Sequence, residues 1–375
     1  MQRRDFIRLA GGGALFAALP ACTATADPRR AWVRPGQGES DPRRRALAWA
    51  ILAPNPHNMQ PWLIDLRTPG EATLYIDHGR LLKDTDPFNR QIVIGCGAFL
   101  ELARMAAAQD GWALEIDAFP DGEPQPRLDG RPVARMRFAQ STPEPDPLFA
   151  AAADRHTNRQ PFDAQPVSPQ AATGIIQAAS SRTVSAGAAV DPARVAALAA
   201  IAAEGARIEA FTPAANTETA ERTHFGDTDV AAHPWGISLS GPLMGALHAG
   251  GLLTAAAMKT EGSFAFNEML KSLKAGADTA RGWVWLTTST NTRAGQLAAG
   301  GAYLRAQLAA TAQGLAMQPF SQCLQEYSSM AGAFAAAHGA MAPGGGRVQM
   351  FARVGHVGAV PPAPRRGLDA QIMKG

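Results

Sequence analysis

Two distant stretches of this chain share one helical pattern, and that repeat constrains the fold more than any other feature. Gly97-Ala98-Phe99-Leu100 opens a helix ending at Ala108-Gln109-Asp110-Gly111, and Gly301-Ala302-Tyr303-Leu304 opens one ending at Ala312-Gln313-Gly314. Each has an arginine upstream, Arg90 and Arg293. A repeated supersecondary unit implies related halves packed on a common core. Alanine-rich helices also resemble one another through composition alone, so the repeat needs support from the rest of the chain.

The flanking text is consistent with two such halves. A helix from about Pro42 to Ala53 is ended by Pro54 and Pro56. Trp62 to Leu66 and Thr73 to Asp77 read as a strand pair around Pro69-Gly70. A helix from about Asn89 to Gln109 precedes strands near Leu114 to Ala118 and Val133 to Phe138, and Pro143-Glu144-Pro145-Asp146-Pro147 marks a boundary. The second half predicts helices over Ala193 to Ala210, Leu243 to Met258 and Gly300 to Gln313. Its strands are expected at Gly282 to Thr288 and Arg347 to Val354. A first half over 43–147 and a second over 148–375 follow, with an insertion at about 205–276 that has no counterpart between Leu66 and Asn89. Trp235, Leu239, Leu243 and Met244 give that insertion an apolar underside, which suits either a lid or a peripheral helical layer.

The N-terminus carries export signals. Arg3-Arg4, followed by Asp5-Phe6 and an apolar run to Leu19, resembles the twin-arginine signals that move folded cargo. Leu19-Pro20-Ala21-Cys22 resembles a lipobox, with Cys22 as the lipidated residue; the alternative is cleavage nearby with Cys22 incidental. Residues 1–22 are then a signal and 23–42, rich in Pro, Arg, Gly and Asp, a tether. The predicted location is periplasmic or lipid-anchored, with contact to a membrane only through Cys22. Apolar residues make up 46% of the chain, enough for a proper core, and no later segment is read as a membrane span. A net charge of +3, from 35 basic and 32 acidic residues, argues neither for nucleic acid nor for an acidic partner, and no nucleic-acid partner is expected. Beyond Cys22 only Cys96 and Cys323 remain, without metal-binding spacing, so neither a disulfide framework nor a metal is expected.

Two motifs carry the chemistry. Ala53-Pro54-Asn55-Pro56-His57-Asn58-Met59-Gln60-Pro61-Trp62 is a proline-stiffened polar loop. By itself it reads as a capped turn with Trp62 in the core and His57 satisfied by its own turn. Arg155-His156-Thr157-Asn158-Arg159 places two guanidiniums around a hydroxyl, which can converge on a phosphate or simply face solvent. The first run resembles the A-P-S-S-x-N-x-Q-P-W stretch of the nitroreductase flavoproteins, with Asn55 and Pro56 in place of the two serines. The second resembles the R-x-S-x-R segment with which that family grips the phosphate of FMN. Gly314-Leu315-Ala316-Met317-Gln318-Pro319-Phe320 is similar to the turn the family lays beside the flavin ring, and Arg365-Arg366 stand where it places a further cation.

In ordinary nitroreductases two subunits share these motifs, whereas here each occurs in one half only. That arrangement resembles the two-domain, Acg-like branch. The resemblance implies an α+β fold of two fused halves, a pseudo-dimer with mixed sheets flanked by helices, acting as a monomer. It implies one FMN held by Pro54, Asn55, Pro56, Asn58, Arg155, Thr157, Arg159, Pro319, Phe320, Arg365 and Arg366, with no catalytic acid or base assigned. The implied function is electron transfer from an unknown donor to a nitroaromatic, quinone or similar small-molecule acceptor. The alternatives are a protein that sequesters FMN and a structural or interaction protein whose FMN pocket is vestigial. NAD(P)H is scarce outside the cytoplasm, so another exported redox protein is a candidate donor. Replacing Arg3 and Arg4 with lysine is expected to strand precursor in the cytoplasm, as fractionation would show; unchanged export removes the signal assignment.

Overall fold

The computed structural model describes residues 27–374, so the export signal and Cys22 lie outside the described residues. In the first half, α1 (Pro42–Ala50) starts at Asp41, whose carboxylate accepts from the Arg43 amide, with proline at its first position. β1 (Trp62–Asp65) and β2 (Glu71–Ile76) form a hairpin with Trp62 opposite Ile76. α2 (Arg90–Gln109) follows, then β3 (Trp112–Ala118) and β4 (Ala134–Gln140). The second half opens with α3 (Pro169–Ala179) and β5 (Ser185–Ala189). An excursion then runs through α4 (Pro192–Phe211), α5 (Pro213–Glu221), β6 (Thr223–Phe225), α6 (Gly226–Ala232), β7 (Ile237–Leu239), α7 (Pro242–Ala249), α8 (Ala255–Lys259) and α9 (Phe264–Asp278). It closes with β8 (Gly282–Thr288), α10 (Arg293–Ala312), β9 (Ala316–Pro319), α11 (Ala331–Met341) and β10 (Arg347–Gly355).

The two halves have one topology. The first sheet is ordered β1-β2-β4-β3 and the second β5-β8-β10-β9, with α2 and α10 at equivalent places. Where the first sheet has a tight turn between β1 and β2, the second has the whole excursion from α4 to α9. The sheets differ from the mixed ones expected, because every pairing within them is antiparallel. The β1–β2 connection is too short for the crossover that parallel neighbours need. Among the described residues, parallel pairing is confined to the short β6–β7 pair and to the bridges Ile64–Ile372 and Thr157–Met317 at the sheet edges.

α2 and α10 cross at glycines, for a steric reason. A Cβ on Gly97 would collide with the carbonyl of Leu297, and one on Gly300 with the carbonyl of Ile94. The repeat therefore pairs Gly97 with Gly300, one residue away from the Gly97–Gly301 match read in the sequence. So close a crossing exchanges side chains between the cores. Leu297, Leu304 and Leu308 of α10 sit in the first half's core, and Ile94 of α2 in the second's. The upstream arginines exchange as well. Arg90 donates to the carbonyls of Leu324 and Gln349, and Arg293 to those of Pro124 and Pro126.

Three further expectations change. α2 is long and apolar enough to cross a membrane by composition, contrary to the sequence reading, but most of it is buried between the halves. The helix expected over Leu243 to Met258 is two, α7 and α8, broken at Gly250-Gly251, where Gly251 takes a φ of 75°. The tether is docked from Asp27 onward: Trp32 is buried and donates to the Ala363 carbonyl, and Arg29 reaches Ser240.

Gly97→Ala and Gly300→Ala are each expected to lower the unfolding free energy by about 1–3 kcal/mol or more, read by urea denaturation. A loss near zero in both would mean that the helices part without cost.

Candidate functional site

A cavity of about 630 Å³ opens beside this crossing. The first half contributes the Pro54–His57 turn and, from α2, Gln91, Ile94, Gly95 and Ala98. The second half contributes Thr157, Arg159, Tyr303, Gln318, Pro319, Ser321, Gln322, Gln325 and Met350. The excursion closes the remaining side with Ala206, Glu209, Thr219, Leu239, Leu243, Met244 and others from α4 to α9. Among the expected site residues, Pro54, Asn55, Pro56, Thr157, Arg159 and Pro319 thus share one cavity. Trp235, expected on the insertion's underside, instead packs edge-on to His224 with Arg80 over its ring.

The turn that forms the cavity's first wall is strained and braced. His57, Asn58 and Gln60 have φ of 48°, 54° and 51°, left-handed values costing roughly 1–3 kcal/mol each. Asn55 Oδ1 accepts from the Gln60 amide at 2.8 Å. Gln60, fully buried, donates to the Pro234 carbonyl and accepts from the Arg366 amide, so one side chain pins the excursion and the C-terminal tail to the turn. Asn58 lies behind the cavity wall, donating to the carbonyls of Gly236 and Pro364. Trp62 is core, 4.9 Å from the Phe99 ring.

The arginines divide sharply. Arg155 is buried with Nη1 on Gln307 Oε1 at 2.7 Å and Nη2 on the Leu52 carbonyl at 2.9 Å, and burial lowers its pKa to about 10. Arg365 donates to the carbonyls of Ile51, Leu52 and Ala53 and to Asn58 Oδ1, its pKa lowered to about 9 by burial and then by Arg155. Both stack on Trp32 and satisfy carbonyls that α1 leaves free at its C-terminus. Arg366 bonds the Gln60 and Ala370 carbonyls, and Phe320 packs edge-on to Trp283 in the core. These four side chains, expected at the cofactor, do not line the cavity; carbonyl oxygens and apolar packing already occupy them. Arg159 differs. Its guanidinium is accessible, but the space it reaches is the cavity, and surrounding protein lowers its pKa by desolvation. Neither Arg159 nor the Thr157 hydroxyl has a side-chain hydrogen-bond partner among the described residues, and Arg159 is the only Lys or Arg on the cavity wall there.

A proton-bearing chain lies on the opposite wall, and no motif announced it. Glu209 of α4 accepts from Thr219 Oγ1 at 3.0 Å and from Gln325 Nε2 at 2.7 Å, while Thr219 Oγ1 lies 3.0 Å from His57 Nε2. A hydroxyl has one proton, so when Thr219 donates to an ionised Glu209, His57 must donate to Thr219. With Glu209 protonated, both bonds reverse. Burial raises the Glu209 pKa, and the arrangement can hold or pass one proton beside the cavity. His57 is therefore satisfied by the excursion rather than by its own turn. The signal missed is a glutamate on the buried face of an Ala-rich helix, which has significance only once α4 is placed.

Two other groups are chemically quiet. Both described cysteines are buried, and burial raises their pKa, that of Cys323 to about 12. His224, Asp229 and His233 bring three ligand-type atoms within 4.8 Å of one another, but the imidazoles stack at 4.7 Å and 11° with their Nδ1 atoms on one carboxylate. Stacked parallel rings cannot both point a lone pair at one ion, so this is a pair of imidazoles grouped around the Asp229 carboxylate.

No protein-family model matches the chain. Two Mycobacterium tuberculosis proteins described as "Putative NAD(P)H nitroreductase" are similar to part of it. One is 30% identical over 126 residues, 33% of this chain and 35% of that protein. The other, acg, is 34% identical over 82 residues, 22% and 24% of the respective lengths. The chain thus spans about a third or less of the curated relatives it matches, and over that part it is distantly homologous to these mycobacterial proteins. Among solved structures, the FMN-dependent nitroreductase NfnB of Mycobacterium smegmatis in complex with NADPH aligns with a TM-score of 0.34 and 17% identity, over 61% of this chain and 99% of that one. A nitroreductase-like protein of Bacillus cereus aligns with a TM-score of 0.33 and 10% identity, over 62% and 97%.

Burial, with Arg159 and Arg222 nearby, lowers the His57 pKa from 6.5 to about 4. The unfolded chain therefore takes up this proton first, and the stability His57 contributes is full above about 6.5 and falls as pH drops towards 4. His57→Gln, which keeps a donor for Thr219, is expected to flatten this acid limb by at most about 3 kcal/mol in denaturation between pH 6.5 and 4.5. An identical limb in the variant would mean that folding leaves the His57 pKa at its ordinary value.

Proposed function

We propose that this chain is an exported, FMN-dependent oxidoreductase of the nitroreductase family, passing electrons from an unknown donor to a small-molecule acceptor such as a nitroaromatic or quinone. The observation that carries this reading is Arg159: a desolvated, partnerless cation with the free Thr157 hydroxyl two residues away, inside a cavity of ligand size. An anionic phosphate fits that donor pair. Gln91, Gln318 and Gln322 offer amide donors and acceptors to a heterocycle, and Ile94, Ala98 and Met350 offer apolar surface to its faces. The partial homology to mycobacterial nitroreductases points the same way.

FMN, when bound, would supply the electron chemistry. The chain's own residues do the rest. Arg159 and Thr157 hold the phosphate, α7 to α9 shield the ring from water, and Glu209 with Thr219 keeps a proton at the wall for a reduced acceptor. The same cover favours sequestration of FMN as the second reading. We also propose that the chain is a fused pseudo-dimer acting as a monomer, supported by the shared sheet order and the symmetric glycine crossing. A second recess lies wholly within the second half, lined by Arg182, Thr183 and the hydroxyl-rich Thr287–Thr290 stretch, with no proline turn, and we expect one flavin per chain, in the shared cavity.

Purified protein is expected to be yellow, with one FMN released per chain. Arg159→Ala should weaken FMN binding about ten- to a hundredfold without lowering the melting temperature of flavin-free protein, whereas Arg155→Ala should chiefly destabilise the fold. Full flavin retention in Arg159→Ala contradicts the phosphate assignment, and dithionite bleaching reversed only by an added acceptor separates enzyme from store.

A further inference from the structure

The excursion adds to the cavity a chamber unlike its polar end. Leu243, Met244 and Leu247 of α7, Met258 of α8, and Phe264 and Met269 of α9 line it, with Glu268 and Ser272 as the polar residues of α9 on the same wall. Methionine and leucine make a yielding apolar wall that suits a flexible chain better than a rigid ring. The lining also continues outward. α7 has no buried residue, and Pro242 to Leu253 contains no Asp, Glu, Lys or Arg. Leu243 is 65% exposed and Phe264 45%, although both line the cavity, and Leu252 beside them is 48% exposed. Soluble proteins seldom leave such a strip bare without a ligand for it. The polar end of the same cavity is lined by Gln91, Gln318 and Gln322, where the reading above sets the flavin ring against which an acceptor's head would lie.

A nitroaromatic or a tail-less quinone would meet only the polar end and leave the chamber unfilled. We propose that the acceptor is a quinone with a long alkyl or prenyl tail, its ring at the polar end and its tail between α7 and α9, leaving over Leu243 and Phe264. The placement of the ring rests on the FMN reading above; the placement of the tail does not. Reduction of such a ring to the hydroquinone would take two electrons from a two-electron-reduced flavin, which returns to its oxidised form, and two protons, one for each carbonyl oxygen. Lipid-soluble quinones reside in membranes, and an apolar rim around the cavity mouth lets a tail pass from lipid to protein without crossing water.

The test is binding rather than turnover. FMN-loaded protein and apoprotein are titrated, by tryptophan fluorescence, with a benzoquinone lacking a tail, the same ring with a decyl tail, and decanoate. Each two buried methylenes add about tenfold in affinity, so the decyl quinone should bind at least a hundredfold more tightly than the bare ring. Decanoate should be weaker than the decyl quinone. Leu243→Ser and Phe264→Ser, at half-exposed positions that folding tolerates, should each remove about tenfold of the tail's gain and leave the bare ring unaffected. Equal affinity with and without the tail, equal affinity for decanoate, or a tail gain untouched by both variants overturns the proposal. A tail gain in protein that neither carries FMN as purified nor takes up added FMN supports the chamber and sinks the flavin reading alone; FMN bound without a tail gain does the reverse.

Discussion

Everything else in this molecule is arranged around the contact of α2 with α10. Two helices of ordinary composition stand 8–10 Å apart, separated by side chains. Here Gly97 and Gly300 remove that spacing, and each glycine lies against a carbonyl of the opposite helix. Leucines of α10 then fill the first core and Ile94 of α2 the second, so neither half has a complete core without the other. The same crossing sets Ile94, Gly95 and Ala98 beside Tyr303, which makes the cavity a product of the interface rather than of either sheet.

Buried cations decide which parts of that interface are structural. Desolvating a guanidinium is costly unless oxygens replace its water. Arg155 and Arg365 find theirs on carbonyls of residues 51–53, where α1 ends with acceptors to spare. They thereby turn a helix terminus into a joint between α1, α10 and the C-terminal tail. Arg159 belongs to the same motif as Arg155 and has the opposite fate, because its side chain reaches the cavity, where no protein oxygen meets it. One motif thus supplies both a brace and a cavity-facing charge.

The excursion breaks the symmetry. It enters between β5 and β8, is tied to the strained turn through Gln60, Asn58 and His57, and lies over one face of the interface only. Glu218 adds to this tie by accepting from the amides of Lys83 and Thr85 in the first half. A cover fastened to the wall it covers keeps the cavity's shape fixed, and the left-handed residues of the turn persist because those bonds over-determine them.

Local rules were legible in the sequence wherever a residue acts on its neighbours. Pro54 and Pro56 end α1, alternating apolar residues form the β1–β2 hairpin, and the repeated helix text marks α2 and α10 as equivalents. The motif around Arg159 and the proline turn likewise singled out two walls of one cavity. What the sequence could not state was the partner of each side chain. Arg155, Arg159 and Arg365 are the same residue type, and only packing assigns two of them to carbonyls and one to a cavity. Glu209 and Thr219 carry no motif, and their proximity to His57 arises from three segments meeting. The pairing of Gly97 with Gly300 rather than Gly301 was set by which Cα faces a carbonyl, a property of the crossing. Sequence determined which elements form and which residue types could do chemistry; tertiary structure decided their partners, because desolvation and steric contact depend on neighbours remote in the chain.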